Sequence, residues 1–76
     1  MNIIINHSFM VPIYEQIVDQ IKTLIRKGEL KETDSLPSVR TLSKTLKISA
    51  LTVKKAYDAL EAEGFAVTIN GQGPYI

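Results

Sequence analysis

The sequence predicts a small α+β domain that is mostly α-helical, with three helices followed by a C-terminal β-hairpin. Three observations support this fold class. Apolar residues recur with helical spacing over 13–27, two later segments each begin at a serine that suits a helix N-cap, and Asn70-Gly71 separates two runs with strand chemistry. With 76 residues the chain has room for one domain, 1–76. A domain of this size buries only about 60% of the surface of its unfolded chain.

The first ten residues are expected to be irregular or to add a short strand through Ile3-Ile4-Ile5; pairing with a second chain is the other interpretation. The first helix is predicted over 12–27. Pro12 suits a first helical turn, and the apolar residues that follow it share one face. Gly28 is a natural left-handed residue after the last turn. We interpret this helix as part of the core.

The next two helices are short and close together. After a connector over 29–37, one helix is predicted over 38–46 with Ser38 as its N-cap, and another over 50–63 with Ser49 as its N-cap. Helical periodicity gives the last helix a buried stripe and an exposed face. The stripe comprises Val53, Ala56, Tyr57 and Leu60, and the exposed face comprises Leu51, Lys54, Lys55, Asp58 and Ala62. Two helices joined by a tight turn form a helix-turn-helix unit.

The last segment changes to strand chemistry. Residues 65–69 are aromatic, β-branched or small, and Asn70-Gly71 is a strong signal for a two-residue hairpin because both central positions of a type I′ turn need positive φ. Pro74 cannot donate to a ladder, which places the returning strand at an edge. A hairpin over 65–76, the wing, makes the predicted fold a winged helix-turn-helix.

The distribution of charge favours a polyanionic partner. The net charge is only +1, but residues 40–55 contain five basic residues and no acidic one, whereas residues 56–76 contain acidic residues and no basic one. A basic segment inside a near-neutral chain is typical of a nucleic-acid-binding face. An ordinary solvated helix surface explains the same segment, so charge alone does not decide the function.

The composition excludes several classes of function. There is no cysteine and one histidine, His7, so disulfides, thiolate metal sites and two-histidine metal sites are excluded. No apolar run approaches the roughly 20 residues of a membrane-spanning helix, and the N-terminus lacks the basic flank of a signal peptide. No general base is paired with a nucleophile. We therefore expect a cytoplasmic protein that is not an enzyme and uses no metal or cofactor.

An ordered series of residues resembles a known family. The series comprises Leu36-Pro37-Ser38-Val39-Arg40, Leu42, Leu46, Ile48-Ser49, Thr52-Val53, Ala56-Tyr57, Leu60, Glu63-Gly64 and the wing glycines Gly71 and Gly73. It resembles the N-terminal domain of GntR-type bacterial transcription regulators, and Pro12-Ile13-Tyr14-Glu15-Gln16-Ile17 resembles their YtrA-like subfamily. The resemblance implies a winged-helix reader of double-stranded DNA. It further implies the DNA-binding part of a longer regulator that works as a homodimer on a palindromic operator.

The resemblance also implies particular DNA contacts. Arg40 would touch the DNA backbone or bases, Ser49 would cap the recognition helix and bond a phosphate, and the wing tip would approach the minor groove. A capped helix N-terminus independently suits phosphate binding. The expected DNA-binding residues are Ser38, Arg40, Lys44, Ser49, Ala50, Leu51, Thr52, Lys54, Lys55, Asn70, Gly71 and Gln72.

The chain departs from the family pattern where base recognition is concerned. Ala50 stands where the family usually has an arginine that reads guanine, and a bidentate arginine–guanine pair is worth about 1–3 kcal/mol of discrimination. We therefore expect fewer direct base contacts and a preference for A·T pairs, with Leu51 or Ala50 against thymine methyl groups. Leu51 as an ordinary exposed leucine is the alternative. Lys47 stands where a glycine often enters the turn, so it must accept a strained backbone.

A second function stays open on the sequence. Winged helices also serve as protein–protein interaction modules, and Ala50, Leu51 and Ile69 make the presumed DNA-binding surface unusually apolar. A module of this kind would bind DNA weakly or not at all.

Overall fold

Three α-helices form the regular structure of the computed structural model, which describes residues 3–31 and 34–65. They are α1 (Ile13–Arg26), α2 (Val39–Leu46) and α3 (Ala50–Ala62). α3 packs against both α1 and α2. The helical part of the predicted fold is therefore present, whereas the hairpin predicted over 65–76 lies beyond Phe65 and outside the described residues.

The hydrophobic core lies where α3 meets the other two helices. Ile17 and Ile21 of α1 and Val53 and Leu60 of α3 are completely buried. The whole stripe that helical periodicity assigned to the inside of α3 is buried, which confirms that part of the sequence analysis. Burial of each large aliphatic side chain in this core stabilises the fold by about 1.5–3 kcal/mol.

The ends of the helices follow from local chemistry. Pro12 directly precedes α1, and Gly28 follows it with φ 78°. Gly64 follows α3 with φ 81°. Glycine suits both places because a left-handed backbone brings no Cβ clash. The N–H of Phe65 then donates to the Leu60 carbonyl at 2.8 Å, which ties the start of the predicted wing to α3.

The N-terminal segment is held on α1 by two glutamine side chains, and no strand forms within residues 3–10. The amide of Gln20 pairs with the backbone of Ile4, accepting from its N–H at 2.9 Å and donating to its carbonyl at 2.6 Å. The amide of Gln16 pairs with Asn6 in the same way, with both distances 2.9 Å. Ile3 is consequently buried in the core, while Ile4 is 69% exposed.

A long polar side chain joins α1 to the end of α3. Lys22 Nζ lies 2.7 Å from a carboxylate oxygen of Glu63 and 5.4 Å from the centroid of the Phe65 ring.

Across the described ranges, no helix combines the length and the apolar character needed to cross a bilayer.

Candidate nucleic-acid interface

The turn between α2 and α3 is three residues long and contains a left-handed lysine. Lys47 adopts φ 58° and ψ 46°, and it is the only non-glycine residue with positive φ in the described ranges. The N–H groups of Lys47 and Ile48 both donate to the carbonyl of Ser43, which closes the end of α2. The strained backbone expected at Lys47 is confirmed. Left-handed geometry costs an L-residue about 1–2 kcal/mol.

Both helices of the helix-turn-helix unit begin with the same Ser-x-x-Thr cap. Ser38 Oγ accepts from the Thr41 N–H at 3.1 Å and donates to the Thr41 hydroxyl at 2.9 Å. Ser49 Oγ accepts from the Thr52 N–H at 3.2 Å and lies 2.8 Å from the Thr52 hydroxyl oxygen. Both serines are N-caps, as the sequence predicted.

These caps leave the earliest backbone donors of each helix available. The cap occupies the N–H of the third helical residue, while the first two residues of an α-helix have no partner within the helix. In α3 those two residues are Ala50 and Leu51, and both are exposed. Their N–H groups and the positive end of the helix dipole suit an anionic oxygen such as that of a phosphate.

A buried tyrosine fixes α3 relative to the start of α2. Tyr57 is 4% exposed, and its hydroxyl donates to the carbonyl of Pro37 at 2.7 Å. Pro37 directly precedes the N-cap Ser38. Burial raises the pKa of the Tyr57 phenol, so it remains neutral and a hydrogen-bond donor further into the alkaline range than an exposed tyrosine does. Helical periodicity predicts the burial of Tyr57 but not this hydrogen bond, because residue spacing does not identify a partner twenty positions away.

The basic residues of α2 and the turn face solvent. Arg40 and Lys44 lie one helical turn apart, and both are exposed, as is Lys47. Within residues 3–31 and 34–65 none of the three takes part in an ion pair. Their charges are therefore available to an anionic partner.

The two lysines of α3 are also exposed, but each has a partner within the chain. Lys54 Nζ lies 2.7 Å from a carboxylate oxygen of Asp58, and this hydrogen bond raises the pKa of Lys54. Lys55 Nζ lies 4.2 Å from the centroid of the Tyr14 ring, a cation–π contact with α1. Exposed ion pairs are weak, so a phosphate can compete with Asp58 for Lys54.

The first turn of α3 presents an apolar surface. Leu51 is 79% exposed and Ala50 is also exposed. Thr52 is half-buried, and its hydroxyl is engaged with Ser49. The structure thus brings Ser49, Ala50 and Leu51 together at the tip of α3. The predicted contacts at Asn70, Gly71 and Gln72 lie outside the described residues.

Comparison with known proteins identifies relatives of the whole helical region. The sequence profile of the bacterial regulatory proteins of the gntR family matches residues 13–76. The HTH-type transcriptional repressor YtrA of Bacillus subtilis (strain 168) is 51% identical over 65 residues, which cover 86% of this chain and 50% of the repressor. The chain therefore spans about half the length of that curated relative.

Solved structures give the same result. YtrA from Sulfolobus acidocaldarius, a GntR-family transcription factor, superposes with a TM-score of 0.90 at 48% identity, covering 96% of this chain and 78% of that one. The N-terminal domain of AraR, solved in complex with a mutant of the operator ORR3, superposes with a TM-score of 0.81 at 26% identity. That match covers 91% of this chain and 99% of the AraR domain.

Proposed function

The chain belongs to the gntR family of bacterial regulatory proteins, and from this premise we propose that it is the sequence-specific DNA-binding domain of a transcriptional regulator. The observation that carries the proposal is the exposed, capped tip of α3, together with the exposed basic residues of the adjoining α2, which form no ion pair within the described ranges. The AraR domain, nearly all of which superposes on this chain, was solved bound to DNA. A DNA-binding domain of this kind acts in the cytoplasm, where bacterial DNA lies.

In the proposed complex α3 enters the major groove. The groove of B-DNA is about 12 Å wide and admits one α-helix, and in helix-turn-helix proteins the N-terminal residues of the recognition helix contact the base edges. In this chain those residues are Ala50 and Leu51. Ser38 and Ser49 place the two helix N-termini against phosphates, and the hydroxyl of Thr52 lies at the edge of the same surface.

The positively charged side chains supply the part of the DNA-binding affinity that does not depend on the base sequence. Arg40, Lys44 and Lys54 are exposed, and Lys55 lies at the border toward α1. In the proposed complex these side chains contact phosphates beside the groove. Each neutralised phosphate releases counterions, so log affinity falls with log salt concentration by roughly 0.9 per contact. At the other edge, Asn70, Gly71 and Gln72 of the predicted hairpin would approach the minor groove.

We further propose that the regulator acts as a homodimer on a palindromic operator. The support is family membership together with the relatives' greater length, which leaves room outside the DNA-binding domain for a dimerisation region. Half-sites read by such dimers are separated by one helical turn of DNA or a multiple of it. Random-site selection on duplex DNA at fixed salt would therefore return a palindrome with that spacing.

Neutralising the α2 charges tests the proposal directly. We expect Arg40→Gln and Lys44→Gln each to weaken duplex binding and to reduce the salt slope by roughly 1. Lys27→Gln is the matched control, because Lys27 is an exposed cation at the C-terminal end of α1, outside the helix-turn-helix unit. If all three variants bind like the unsubstituted chain, the surface does not contact DNA.

Duplex binding at low salt, measured together with self-association of the chain, separates DNA binding from a protein–protein role. The observation that favours the second function is the apolar tip formed by Ala50 and Leu51. A chain that binds no duplex at low salt but self-associates through this tip, with association abolished by Leu51→Ala, is an interaction module instead.

A further inference from the structure

We propose that Leu51 reads the 5-methyl group of thymine, so that the position facing it in the operator is an A·T pair with a defined strand orientation. This inference rests on the proposed DNA-binding function and adds a specific base to it. Leu51 is 79% exposed, and it is the only large apolar residue that is exposed within α1, α2 or α3. The other exposed large apolar side chains of the described residues precede α1.

The position of Leu51 places it at the base edges. It is the second residue of α3 and follows the N-cap Ser49 by two positions. Residues spaced three and four apart share one face of a helix, so Leu51 leads the row that continues through Lys54, Lys55 and Asp58. Because the N-terminal residues of a recognition helix contact base edges, the Leu51 side chain meets bases, while the Ser49 cap and the backbone N–H groups of the same tip face a phosphate.

The neighbouring polar side chains are engaged elsewhere. Lys54 is paired with Asp58 and in the proposed complex contacts a phosphate, and Lys55 lies over the Tyr14 ring. The Thr52 hydroxyl is held by Ser49, and Ala50 carries only a methyl group. The largest side chain free to project from the tip is therefore the isobutyl group of Leu51, which neither donates nor accepts a hydrogen bond.

An isobutyl group can recognise only one feature of the major groove. Among the four bases thymine alone presents a methyl group there, whereas the others present donors and acceptors. Placing Leu51 against guanine or cytosine would bury a polar edge without a partner, which is unfavourable. Removing one methyl group from an apolar contact corresponds to about a fourfold loss in affinity.

Replacing thymine by deoxyuridine tests the proposal, since deoxyuridine pairs identically but lacks the methyl group. The probe is the duplex obtained by random-site selection, with each thymine replaced in turn. For the unsubstituted chain we expect about a fourfold loss at one thymine per half-site. For Leu51→Ala we expect weaker binding to the thymine duplex and no further loss with deoxyuridine at that position. Alanine favours the helix more than leucine does, so this exposed substitution should not impair folding.

Two further variants complete the design. Met10→Ala removes a 99% exposed apolar side chain outside the helix-turn-helix unit, and it should keep the full deoxyuridine penalty. Leu51→Gln should move the preference at the same position toward adenine on the contacted strand, since glutamine pairs with the N6 and N7 atoms of adenine.

The outcomes distinguish the role of Leu51 from the proposed DNA-binding function on which it rests. Salt-dependent duplex binding with no deoxyuridine penalty, or a penalty that persists in Leu51→Ala, would overturn the role of Leu51 and leave the proposed function intact. Absence of binding to every duplex at low salt would overturn both.

Discussion

The phenol oxygen of Tyr57 lies 2.7 Å from the carbonyl oxygen of Pro37, so a side chain in the middle of α3 holds the residue that precedes the N-cap of α2. This bond joins the two helices of the proposed reading unit, in addition to the apolar packing between them. The surrounding core excludes water from the phenol, since Tyr57 is 4% exposed. The bond is therefore structural, and it positions the Ser38 cap without touching any partner.

Replacing Tyr57 with phenylalanine should destabilise the fold while keeping its shape. The substitution leaves the half-buried Pro37 carbonyl without its donor, and losing a hydrogen bond of this kind costs about 0.5–1.5 kcal/mol. The free energy of unfolding in urea measures the loss. Tyr14→Phe is the matched control, because among the described residues the exposed hydroxyl of Tyr14 bonds just the adjacent Glu15. Equal stability of Tyr57→Phe and Tyr14→Phe would show that the Pro37 bond is unimportant.

The same phenol makes stability depend on alkaline pH. Burial raises the pKa of Tyr57 in the folded state above the ordinary value of about 10. The stability contributed by the neutral phenol is therefore fully present below the unfolded pKa and is lost as the pH rises above about 10, because the unfolded chain then releases the proton more readily. Unfolding measured between pH 8 and 11 should show this loss in the unsubstituted chain and a smaller loss in Tyr57→Phe. If the unsubstituted chain and Tyr57→Phe lose stability equally over this pH range, the Tyr57 phenol is not the source of the pH dependence.

Replacing Lys47 with glycine should stabilise the turn. Glycine removes the left-handed strain of about 1–2 kcal/mol but adds about 0.5–1 kcal/mol of backbone entropy to the unfolded chain, so the net gain is below about 1.5 kcal/mol. Lys47→Ala is the control, since alanine keeps the strain while removing the same charge. Duplex affinity should fall equally in both variants. A glycine variant less stable than the alanine variant would contradict the strained-turn interpretation.

The Ser49 cap can be separated from phosphate binding by two substitutions. Ser49→Ala should lose about 1 kcal/mol of stability, because it removes the acceptor for the Thr52 N–H. Ser49→Asp should restore the cap, because aspartate is an equally good N-cap residue, yet weaken duplex binding by placing a negative charge at the tip of α3. Ser8→Ala, in an exposed turn, serves as the control for thermal unfolding. If Ser49→Asp binds DNA as well as the unsubstituted chain, the tip does not approach phosphates.

Much of the helical fold could be predicted because the signals are local. Pro12, Ser38 and Ser49 begin helices through their own backbone or hydroxyl chemistry, and Gly28 and Gly64 follow two of them through their conformational freedom. The buried stripe of α3 follows from a helical period that depends on nothing outside the helix.

The placement of charges could be predicted only in part. Helical periodicity correctly assigned Lys54 and Lys55 to the exposed face of α3. It gave no sign that Lys55 rests on Tyr14 of α1, because that contact joins residues whose separation in the chain carries no pattern. The sequence shows that Ala50 and Leu51 are apolar. It does not show that the polar side chains beside them, those of Thr52, Lys54 and Lys55, have partners within the chain.

Propensity, capping and periodicity act within a few residues, so the sequence predicts which segments are helices, about where each begins and which residues α3 buries. Which polar groups meet across those segments depends on the tertiary packing. It placed Gln16 and Gln20 on the backbone of the N-terminal segment, Tyr57 on Pro37 and Lys22 on Glu63. The Tyr57 and Lys22 contacts depend on the packing of α3 between α1 and α2, and the Gln16 and Gln20 contacts depend on how the N-terminal segment lies on α1, so no single segment encodes them.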